Sequence, residues 1–288
     1  MNSTATHPDV VAAVTRRLEA AGVPSAAVDA RWLVDHVIEV AGEPTGCGAA
    51  LLDGLVARRL AREPLQLIIG SWPFRTVELQ LRAGVFIPRP ETEVVAGLAI
   101  DAVRGFETPT IVEPCTGTGA IAASIYAEVA GATIIATDRD PAAVELARDN
   151  LGRVARGEAG VPSAAGAHAS VLIGDLLDPV DTSLRGNLDV LVSNPPYLPA
   201  ADAAMWEPEV AEHDPHAALV GGPDGHEEVD ALLGLAVRWL KPGGTVVIEI
   251  DERRGADAMS VAEAVGLTHP QIVQDLTGTD RAIVAQAR

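Results

Sequence analysis

Residues 110–122 read TIVEPCTGTGAIA, and this pattern gives the first indication of the fold class. Thr110–Glu113 is a short apolar run typical of a buried strand, and a helical pattern begins at Gly119. The small residues between them let the backbone turn sharply and let a ligand approach the start of the helix closely. The stretch therefore predicts a strand, a tight turn and a helix. The turn either binds a ligand or only connects the two elements.

Strands and helices continue to alternate on the C-terminal side of this stretch. The further apolar runs of strand length are Thr133–Thr137, Val171–Ile173, Leu188–Ser193 and Thr245–Ile250. The helical patterns are Gly119–Ala130, Pro141–Leu151 and His226–Leu240. This alternation indicates an α/β fold with a doubly wound, mostly parallel sheet, which binds ligands at the carboxyl ends of its strands. Arg153–Ser170 is rich in Ala, Gly and Ser, and we expect it to be a flexible surface loop.

The N-terminal side has a different pattern. Three apolar stripes at helical spacing end near Gly22, Gly42 and Pro64, which predicts a small bundle of helices. Between residues 71 and 88, Val77 and Leu79 alternate with polar residues, as in a short hairpin. We therefore divide the chain into a helical domain, residues 1–70, a β-hairpin linker, residues 71–88, and an α/β domain, residues 89–288.

The composition limits the classes of partner. The 288 residues include 40 Asp and Glu against 21 Lys and Arg, a formal net charge of −19. Such a surface repels phosphate backbones and anionic membranes, so we expect no direct nucleic-acid binding and no membrane. It favours a small molecule or a basic protein as partner, or it only keeps the protein soluble.

The cysteines and the apolar runs indicate the cell compartment and whether a metal site is expected. Cys47 and Cys115 are far apart in the sequence, which indicates neither a zinc site nor a disulfide scaffold and fits a reducing cytoplasm. The stretch MNSTATHPDV has no basic region followed by an apolar one, and no run of 18 apolar residues occurs. We therefore expect no secretory signal and no membrane span.

Acidic residues follow two of the predicted strands. Asp138 lies 19 residues after Gly119, close to the spacing of about 20 that is typical of an acid bound to a ribose. Asp140, directly before Pro141, suits the N-cap of the next helix. Asp175 ends the following strand, where it suits a hydrogen bond to an adenine amino group or is only a surface acid. The spacing Gly117-x-Gly119-x-x-Ala also satisfies a relaxed dinucleotide-binding pattern.

Asn194-Pro195-Pro196-Tyr197 follows the apolar run Leu188–Ser193 directly. The two prolines fix the backbone and leave carbonyl oxygens without neighbouring N–H donors, Asn adds a side-chain oxygen, and Tyr adds a flat surface. Together these groups can hold a planar NH2 group by both hydrogens and orient its nitrogen lone pair. Amides and exocyclic base amines carry such groups. The alternative is a rigid proline turn without chemistry, but its place at the ligand-binding edge of the sheet favours a function.

These motifs carry a resemblance to a known family over almost the whole chain. The chain resembles S-adenosylmethionine-dependent methyltransferases of the seven-strand Rossmann-like type. More narrowly, it resembles the HemK-type release factor glutamine N5-methyltransferase family. The motifs in family order are Ile87–Glu93 (IPRPETE), the glycine loop, Asp138, Asn194–Tyr197, Glu209-Val210, Asp214-Pro215 and Asp275–Gly278 with Arg281. One departure is Glu113-Pro114-Cys115, where the family usually has Asp-x-Gly. We expect Cys115 to have a negative φ, because a cysteine is not favoured in the left-handed region.

The resemblance implies a set of roles. S-adenosyl-L-methionine, with S-adenosylhomocysteine as product, is expected to bind Cys115, Thr116, Gly117, Thr118, Gly119, Asp138, Asp175, Leu176 and Asn194. The glutamine is expected to bind Arg89, Pro90, Glu91, Asn194, Pro195, Pro196 and Tyr197, and the last four are the expected catalytic residues. No metal is implied. The methyl group is expected to move in line from sulfonium to nitrogen, and the partner is a release factor with a Gly-Gly-Gln motif.

Three rival functions use parts of the same pattern. A nucleic-acid amino methyltransferase shares Asn-Pro-Pro-Tyr, but it should present a basic surface track, which the net charge opposes. A nicotinamide oxidoreductase would use the glycine loop and has no use for Asn-Pro-Pro-Tyr. A non-catalytic adenosyl-binding module could keep the loop and Asp138 without the amide-holding turn.

Overall fold

The computed structural model of the chain describes residues 7–288. The first six residues lie outside this range; with them lie the start of the predicted helical domain and most of the stretch searched for a secretory signal. Two compact units are present. One comprises the chain up to Ser71 together with Glu207–His213, and the other comprises Trp72–Trp206 with Asp214–Arg288.

The elements are numbered in chain order. The helices are α1 Pro8–Ala20, α2 Ala26–Ala41, α3 Ala49–Leu60, α4 Leu65–Ile69, α5 Thr92–Ala102, α6 Ala120–Glu128, α7 Pro141–Ala155, α8 Pro208–His213, α9 His216–Leu219, α10 Glu227–Trp239 and α11 Gly255–Val265. The strands are β1 Ser71–Phe74, β2 Val77–Gln80, β3 Thr110–Pro114, β4 Thr133–Asp138, β5 His168–Ile173, β6 Leu188–Ser193, β7 Leu240–Glu249, β8 Thr268–Gln274 and β9 Asp280–Gln286. Short 3₁₀ turns occur at Gly46–Gly48, Thr182–Leu184 and Ala200–Met205.

The first unit is helical. Its helices α1, α2 and α3 form at the three predicted apolar stripes, and their inward faces include the fully buried Leu18, Leu33 and Val56. Helix α8 joins this unit from a distant part of the chain. The sequence stripe alone could not show this, because α8 is a single short helix whose position depends on charged contacts.

A buried ion-pair network holds α8 in the helical unit. The guanidinium of Arg59, 4% exposed, donates to Asp29 of α2 at 2.7 Å and to Glu209 of α8 at 2.9 Å. Arg62 donates to both carboxylate oxygens of Glu209, at 2.7 and 2.5 Å. Burial alone would raise the pKa of Glu209, but the hydrogen bonds from Arg62 and Arg59 lower it to about 2. Glu209 is therefore a charged anchor for α8.

The second unit is built on a seven-stranded sheet with the order β5-β4-β3-β6-β7-β9-β8. Strands β3 to β7 pair in parallel, and β9 runs antiparallel between β7 and β8. Every residue of β6 is buried, as expected for a central strand covered on both faces. The chain runs outward from β3 through β4 to β5 and then returns to β6 on the other side of β3. The strand order therefore reverses between β3 and β6, where such sheets bind ligands.

The hairpin β1–β2 packs within this second unit. The side chain of Asn150 in α7 accepts from the backbone N–H of Gln80 at 2.8 Å and donates to its carbonyl oxygen at 3.1 Å. The same Asn150 amide donates to the carbonyl oxygen of Thr118 at 2.9 Å. One buried side chain thus holds the end of the hairpin and the glycine loop together.

The prediction of a flexible loop at Arg153–Ser170 was wrong at both ends. Helix α7 continues to Ala155 and β5 already begins at His168. The residues between them are held by backbone hydrogen bonds: Glu78 donates to Ala159 at 2.9 Å, and Ala164 donates to Tyr126 at 2.8 Å. Composition indicated a loop because Ala, Gly and Ser are small, but small residues also allow close backbone packing.

Candidate active site

A cavity of about 910 Å³, counting its open mouth, lies at the carboxyl ends of the parallel strands. Of the residues predicted from the sequence, those that line it are Cys115, Thr116, Gly117, Thr118, Asp138, Asp175, Leu176, Asn194 and Pro196. Gly119, Pro195, Tyr197, Arg89, Pro90 and Glu91 are not among the lining residues. The cavity lies at the point where the strand order reverses.

The glycine loop connects β3 to α6 in a left-handed backbone conformation. The φ angles are +57° at Cys115, +55° at Gly117 and +79° at Gly119. A Cβ atom at Gly119 would lie 3.1 Å from the Cβ of Ala147, so glycine is needed there for space as well as for φ. The expected negative φ at Cys115 was wrong. The turn requires the left-handed conformation whichever residue occupies it, and a non-glycine residue there costs about 1–2 kcal/mol.

Glu113 and Thr116 place polar groups beside this loop. Glu113 is 2% exposed, and its Oε2 accepts from the backbone N–H of Ala122 at 2.8 Å. Burial raises the pKa of Glu113 to about 8, so the side chain is mostly protonated at neutral pH. The hydroxyl of Thr116 is buried near the Glu113 carboxyl and opposes the rise of its pKa, but within residues 7–288 it makes no close hydrogen bond. Because both residues line the cavity, this hydroxyl is available to a ligand.

Asp138 presents a prepared acceptor at the end of β4. One carboxylate oxygen accepts from the backbone N–H of Gly117 and the other from that of Asp140, both at 2.9 Å. Burial raises the pKa of Asp138, and these two hydrogen bonds oppose the rise. Each oxygen keeps a free lone pair, so the group can accept from two adjacent hydroxyls. Asp140 caps α7 by accepting from Ala142 at 2.9 Å, which confirms the predicted N-cap, and the ribose contact of Asp138 stays a prediction.

The rim beyond β5 carries the third predicted acid. Asp175 is exposed and Leu176 is half-buried with a φ of +42°. The Leu176 carbonyl oxygen accepts from the Thr137 hydroxyl at 2.5 Å, which ties the turn to β4. Glu228 of α10 also lines the cavity, and burial raises its pKa. Besides the mostly protonated Glu113, the lining contains four acids against one arginine, Arg139, so the cavity favours a cationic ligand. These acids are Asp138, Asp140, Asp175 and Glu228.

The Asn-Pro-Pro-Tyr turn divides its side chains between the cavity and the protein interior. Asn194 lines the cavity, and its Nδ2 donates to the hydroxyl of Thr92 at 3.1 Å, which leaves Oδ1 as the available acceptor. Pro196 lines the cavity and Pro195 is buried. Tyr197 instead donates its hydroxyl to Glu249 at 3.0 Å, and burial raises its pKa well above the usual value. Tyr197 therefore supports the turn from behind and does not form the cavity wall.

The segment that contains Arg89, Pro90 and Glu91 reaches the cavity through its neighbours. Phe86, Pro88 and Thr92 line the cavity. The Arg89 guanidinium pairs with Asp214 and lies 5.1 Å from the centre of the Phe86 ring.

Asp214 also holds the backbone of this segment, because the Oδ1 of Asp214 accepts a hydrogen bond from the backbone N–H of Ile87 at 3.2 Å. Sequence reasoning placed the segment Arg89–Glu93 at the site but assigned no role to Thr92 within it. Its place inside the IPRPETE motif was the signal that could have found it.

Two further features, a metal site and a membrane-spanning helix, can be assessed in the described residues. Within residues 7–288, no group of three or more His, Cys, Asp or Glu side chains is arranged to hold a metal ion. Among the same residues, no helix combines the length and apolarity that crossing a membrane requires.

Comparison with known proteins identifies the family. No family model matches the chain. It is 37% identical over 284 residues to the release factor glutamine methyltransferase of Mycolicibacterium smegmatis, which covers 96% of this chain and 95% of that one. It is 41% identical over 252 residues to the enzyme of the same name from Streptomyces coelicolor, with 85% of each chain covered.

Among solved structures, the fold is similar to that of a methyltransferase from Pyrococcus furiosus. The TM-score is 0.50 and the identity 19%, over 73% of this chain and 88% of that one. The sheet thus has a methyltransferase fold, and the sequence identities over nearly full length show that the chain belongs to the release factor glutamine methyltransferase family.

Proposed function

We propose that this protein transfers a methyl group from S-adenosyl-L-methionine to the side-chain amide nitrogen of glutamine in the Gly-Gly-Gln motif of a release factor, in the cytoplasm. Family membership supports the reaction class. The single observation that carries the site assignment is the fixed amide of Asn194, whose carbonyl oxygen is left available in the same cavity as the glycine loop. Two free cysteines fit a reducing compartment.

The cavity fits S-adenosylmethionine in its polar groups. Asp138 has one free lone pair on each carboxylate oxygen, which suits the two ribose hydroxyls. The buried Thr116 hydroxyl makes no close hydrogen bond among the described residues, and Gly117 leaves space for close backbone approach. The acidic lining suits a ligand with a sulfonium and an ammonium group. When bound, S-adenosylmethionine supplies an electrophilic methyl group on sulfur and leaves as S-adenosylhomocysteine.

The residues of the turn position the substrate. Asn194 Oδ1 accepts one hydrogen of the substrate NH2 group, and a backbone carbonyl of the Asn-Pro-Pro turn accepts the other. Two acceptors in fixed positions orient the nitrogen lone pair and stabilise the positive charge that develops on nitrogen. As the new nitrogen–carbon bond forms, the nitrogen loses one proton, which passes to water. The enzyme's contribution is alignment and fixed hydrogen-bond acceptors for the reacting NH2 group.

A labelling experiment tests this function. The protein is incubated with methyl-labelled S-adenosylmethionine and a release factor, beside a release factor in which the motif glutamine is replaced by asparagine. Label should appear on the glutamine and not on the asparagine version. Methylation of a nucleic acid with none of the release factor would overturn the substrate.

Substitution of Asn194 tests the mechanism in the same assay. Asn194→Ala at saturating cofactor should reduce kcat by about 10²–10³, since one preorganised hydrogen-bond partner of the reacting group is lost. Asn194→Asp should be similarly slow, because its charge attracts the sulfonium without helping the transfer. Near-normal kcat in Asn194→Ala would contradict the mechanism.

A further inference from the structure

The orientation of the Asn194 amide needs an explanation in the structure. A carboxamide has nearly the same shape when its oxygen and nitrogen are exchanged, but only one orientation presents an acceptor. If Nδ2 faced the substrate, two NH2 groups would oppose each other, and the acceptor would be lost. A group behind Asn194 must therefore distinguish its two ends.

Thr92 makes the direct contact. It is the first residue of α5, it is 2% exposed, and its Oγ1 lies 3.1 Å from Asn194 Nδ2. A hydroxyl can donate as well as accept, so Thr92 by itself would tolerate either orientation of the amide. The orientation depends on where the hydroxyl sends its own hydrogen.

Glu249 at the end of β7 removes this ambiguity. It is 1% exposed, and its Oε1 accepts from the Tyr197 hydroxyl at 3.0 Å. Its Oε2 is buried and has no hydrogen-bond partner among the described residues, so it remains a free acceptor. The Thr92 hydroxyl stabilises the ionised form of this carboxylate. An ionised carboxylate only accepts, so it draws the Thr92 hydrogen and leaves the Thr92 oxygen to accept from Asn194.

The charges around Glu249 are mixed. Burial raises the pKa of Glu249 to about 7, and the negative charge of Glu91 adds to this rise. Three groups oppose it: the hydroxyls of Thr92 and Tyr197 and the guanidinium of Arg281 on β9. The carboxylate is therefore about half ionised near neutral pH and mostly ionised above it. Its acceptor-only character is strongest on the alkaline side.

We propose that Thr92 and Glu249 are positioning residues that fix Asn194 with its carbonyl oxygen toward the substrate amide. This inference rests on the proposed function and adds the means by which the turn is oriented. In this arrangement the free, charged oxygen of Glu249 attracts the hydrogen of the Thr92 hydroxyl, and the oxygen of that hydroxyl orients the Asn194 amide through their hydrogen bond. Tyr197, on the other oxygen of Glu249, holds the carboxylate in place.

Paired substitutions of Thr92 test the proposal in the full-length protein. Thr92→Val removes the hydroxyl and keeps the shape, whereas Thr92→Ser keeps the hydroxyl. We expect Thr92→Val to lower kcat about tenfold to hundredfold, as for a misplaced catalytic group, with KM for the release factor little changed. Thr92→Ser should stay within about threefold of the parent protein. Thermal unfolding and cofactor titration show that each variant is folded.

A second readout does not depend on methylation. In a ¹⁵N-labelled protein, the side-chain NH2 signal of Asn194 is identified by its loss in Asn194→Ala. Its hydrogen-bonded hydrogen should exchange slowly with water in the parent and in Thr92→Ser, and rapidly in Thr92→Val. Unchanged exchange and a normal kcat in Thr92→Val would overturn the proposal. If the parent protein does not methylate glutamine, the proposed function is overturned but the positioning role is not. That role is still tested by the exchange of the Asn194 side-chain hydrogen with water.

Glu249→Gln provides a variant at the other end of this arrangement. A carboxamide can donate as well as accept, so it no longer forces the direction of the Thr92 hydroxyl. The parent kcat should rise with pH through about 7 as Glu249 ionises, and the variant should lose this rise. Retention of the same rise in Glu249→Gln would contradict the role of Glu249.

Discussion

At the scale of single residues, Asp138 is the most direct test of cofactor binding. Its two oxygens are held by Gly117 and Asp140, so the free lone pairs are preorganised. Asp138→Ala should weaken S-adenosylmethionine binding about tenfold to hundredfold, the loss expected for charge-assisted hydrogen bonds worth ~1.5–3 kcal/mol. Isothermal calorimetry measures the change. Asp178→Asn, at an exposed acid that does not line the cavity, serves as the matched control, with affinity within about twofold.

The same calorimetry addresses the rival function. The glycine spacing also fits a dinucleotide, so NAD is titrated beside S-adenosylmethionine. Tight NAD binding, or equal affinity of Asp138→Ala and the parent for S-adenosylmethionine, would contradict the assignment of Asp138 to the ribose.

Cys115 allows a prediction about stability. Its φ of +57° lies in the left-handed region, which glycine adopts without steric cost. Cys115→Gly should therefore raise the free energy of unfolding by about 1 kcal/mol, measured by urea denaturation. Cys115→Ala keeps the Cβ atom and the strain, so it should give no such gain. An equal gain in both variants would show that φ strain is not the cause.

Residue chemistry in the sequence identified acceptors better than it identified their partners. The placement of Asp138 and Asn194 at the cavity could be predicted, because their residue types follow strands that end at one edge of the sheet. The motif could place Thr92 near the site, but nothing in a threonine hydroxyl distinguishes a positioning contact from an ordinary helix start. The direction in which Tyr197 points also depends on Glu249, which is distant in the sequence and joins it only through the fold.

At the scale of elements, α8 depends on its ion pairs with the helical unit. Glu209→Gln should lower the free energy of unfolding of this unit by about 1–3 kcal/mol, because charge-assisted hydrogen bonds from Arg59 and Arg62 are weakened. Urea denaturation followed by circular dichroism measures it. Glu207→Gln is the matched control: its side chain is 74% exposed and 3.6 Å from Arg62, so the effect should be below about 0.5 kcal/mol.

The effect of Glu209 should also depend on pH. The folded pKa of about 2 lies below the ordinary value of 4.5, so the stabilisation is complete above about pH 4.5. It is lost as the pH falls from about 4.5 toward 2, where the carboxylate becomes protonated. The difference between parent and Glu209→Gln should therefore shrink over that range, and a difference that grows in acid would contradict the network.

The sequence predicts best those elements whose residues are buried along their whole length. The central parallel strands β3 and β6 are buried almost throughout, so they appear as apolar runs between turn residues. Strands β8 and β9 and helix α11 were missed because they lie at one edge of the sheet or cover it. The strand β8 reads THPQIVQ, in which polar residues interrupt the apolar ones, so its pairing with β9 decides its structure.

At the scale of the whole molecule, the net charge of −19 leaves two interpretations. The acidic surface either attracts a basic region of the release factor or only keeps the protein soluble. The cavity does not separate them, because its acids line the proposed cofactor site and not the outer surface. Electrostatic attraction between surfaces acts mainly on encounter and is screened by salt, whereas the chemical step in a closed site is screened far less.

Salt dependence therefore separates the two interpretations. If charge steers the release factor, KM for the intact factor should rise severalfold between about 50 and 300 mM salt while kcat stays nearly constant, because the screening length falls below about 10 Å. A short peptide with the Gly-Gly-Gln motif lacks the rest of the basic surface, and its KM should change much less. Steady-state kinetics with both substrates at saturating cofactor measures the contrast. Equal salt dependence for factor and peptide would show that the acidic surface takes no part in recognition.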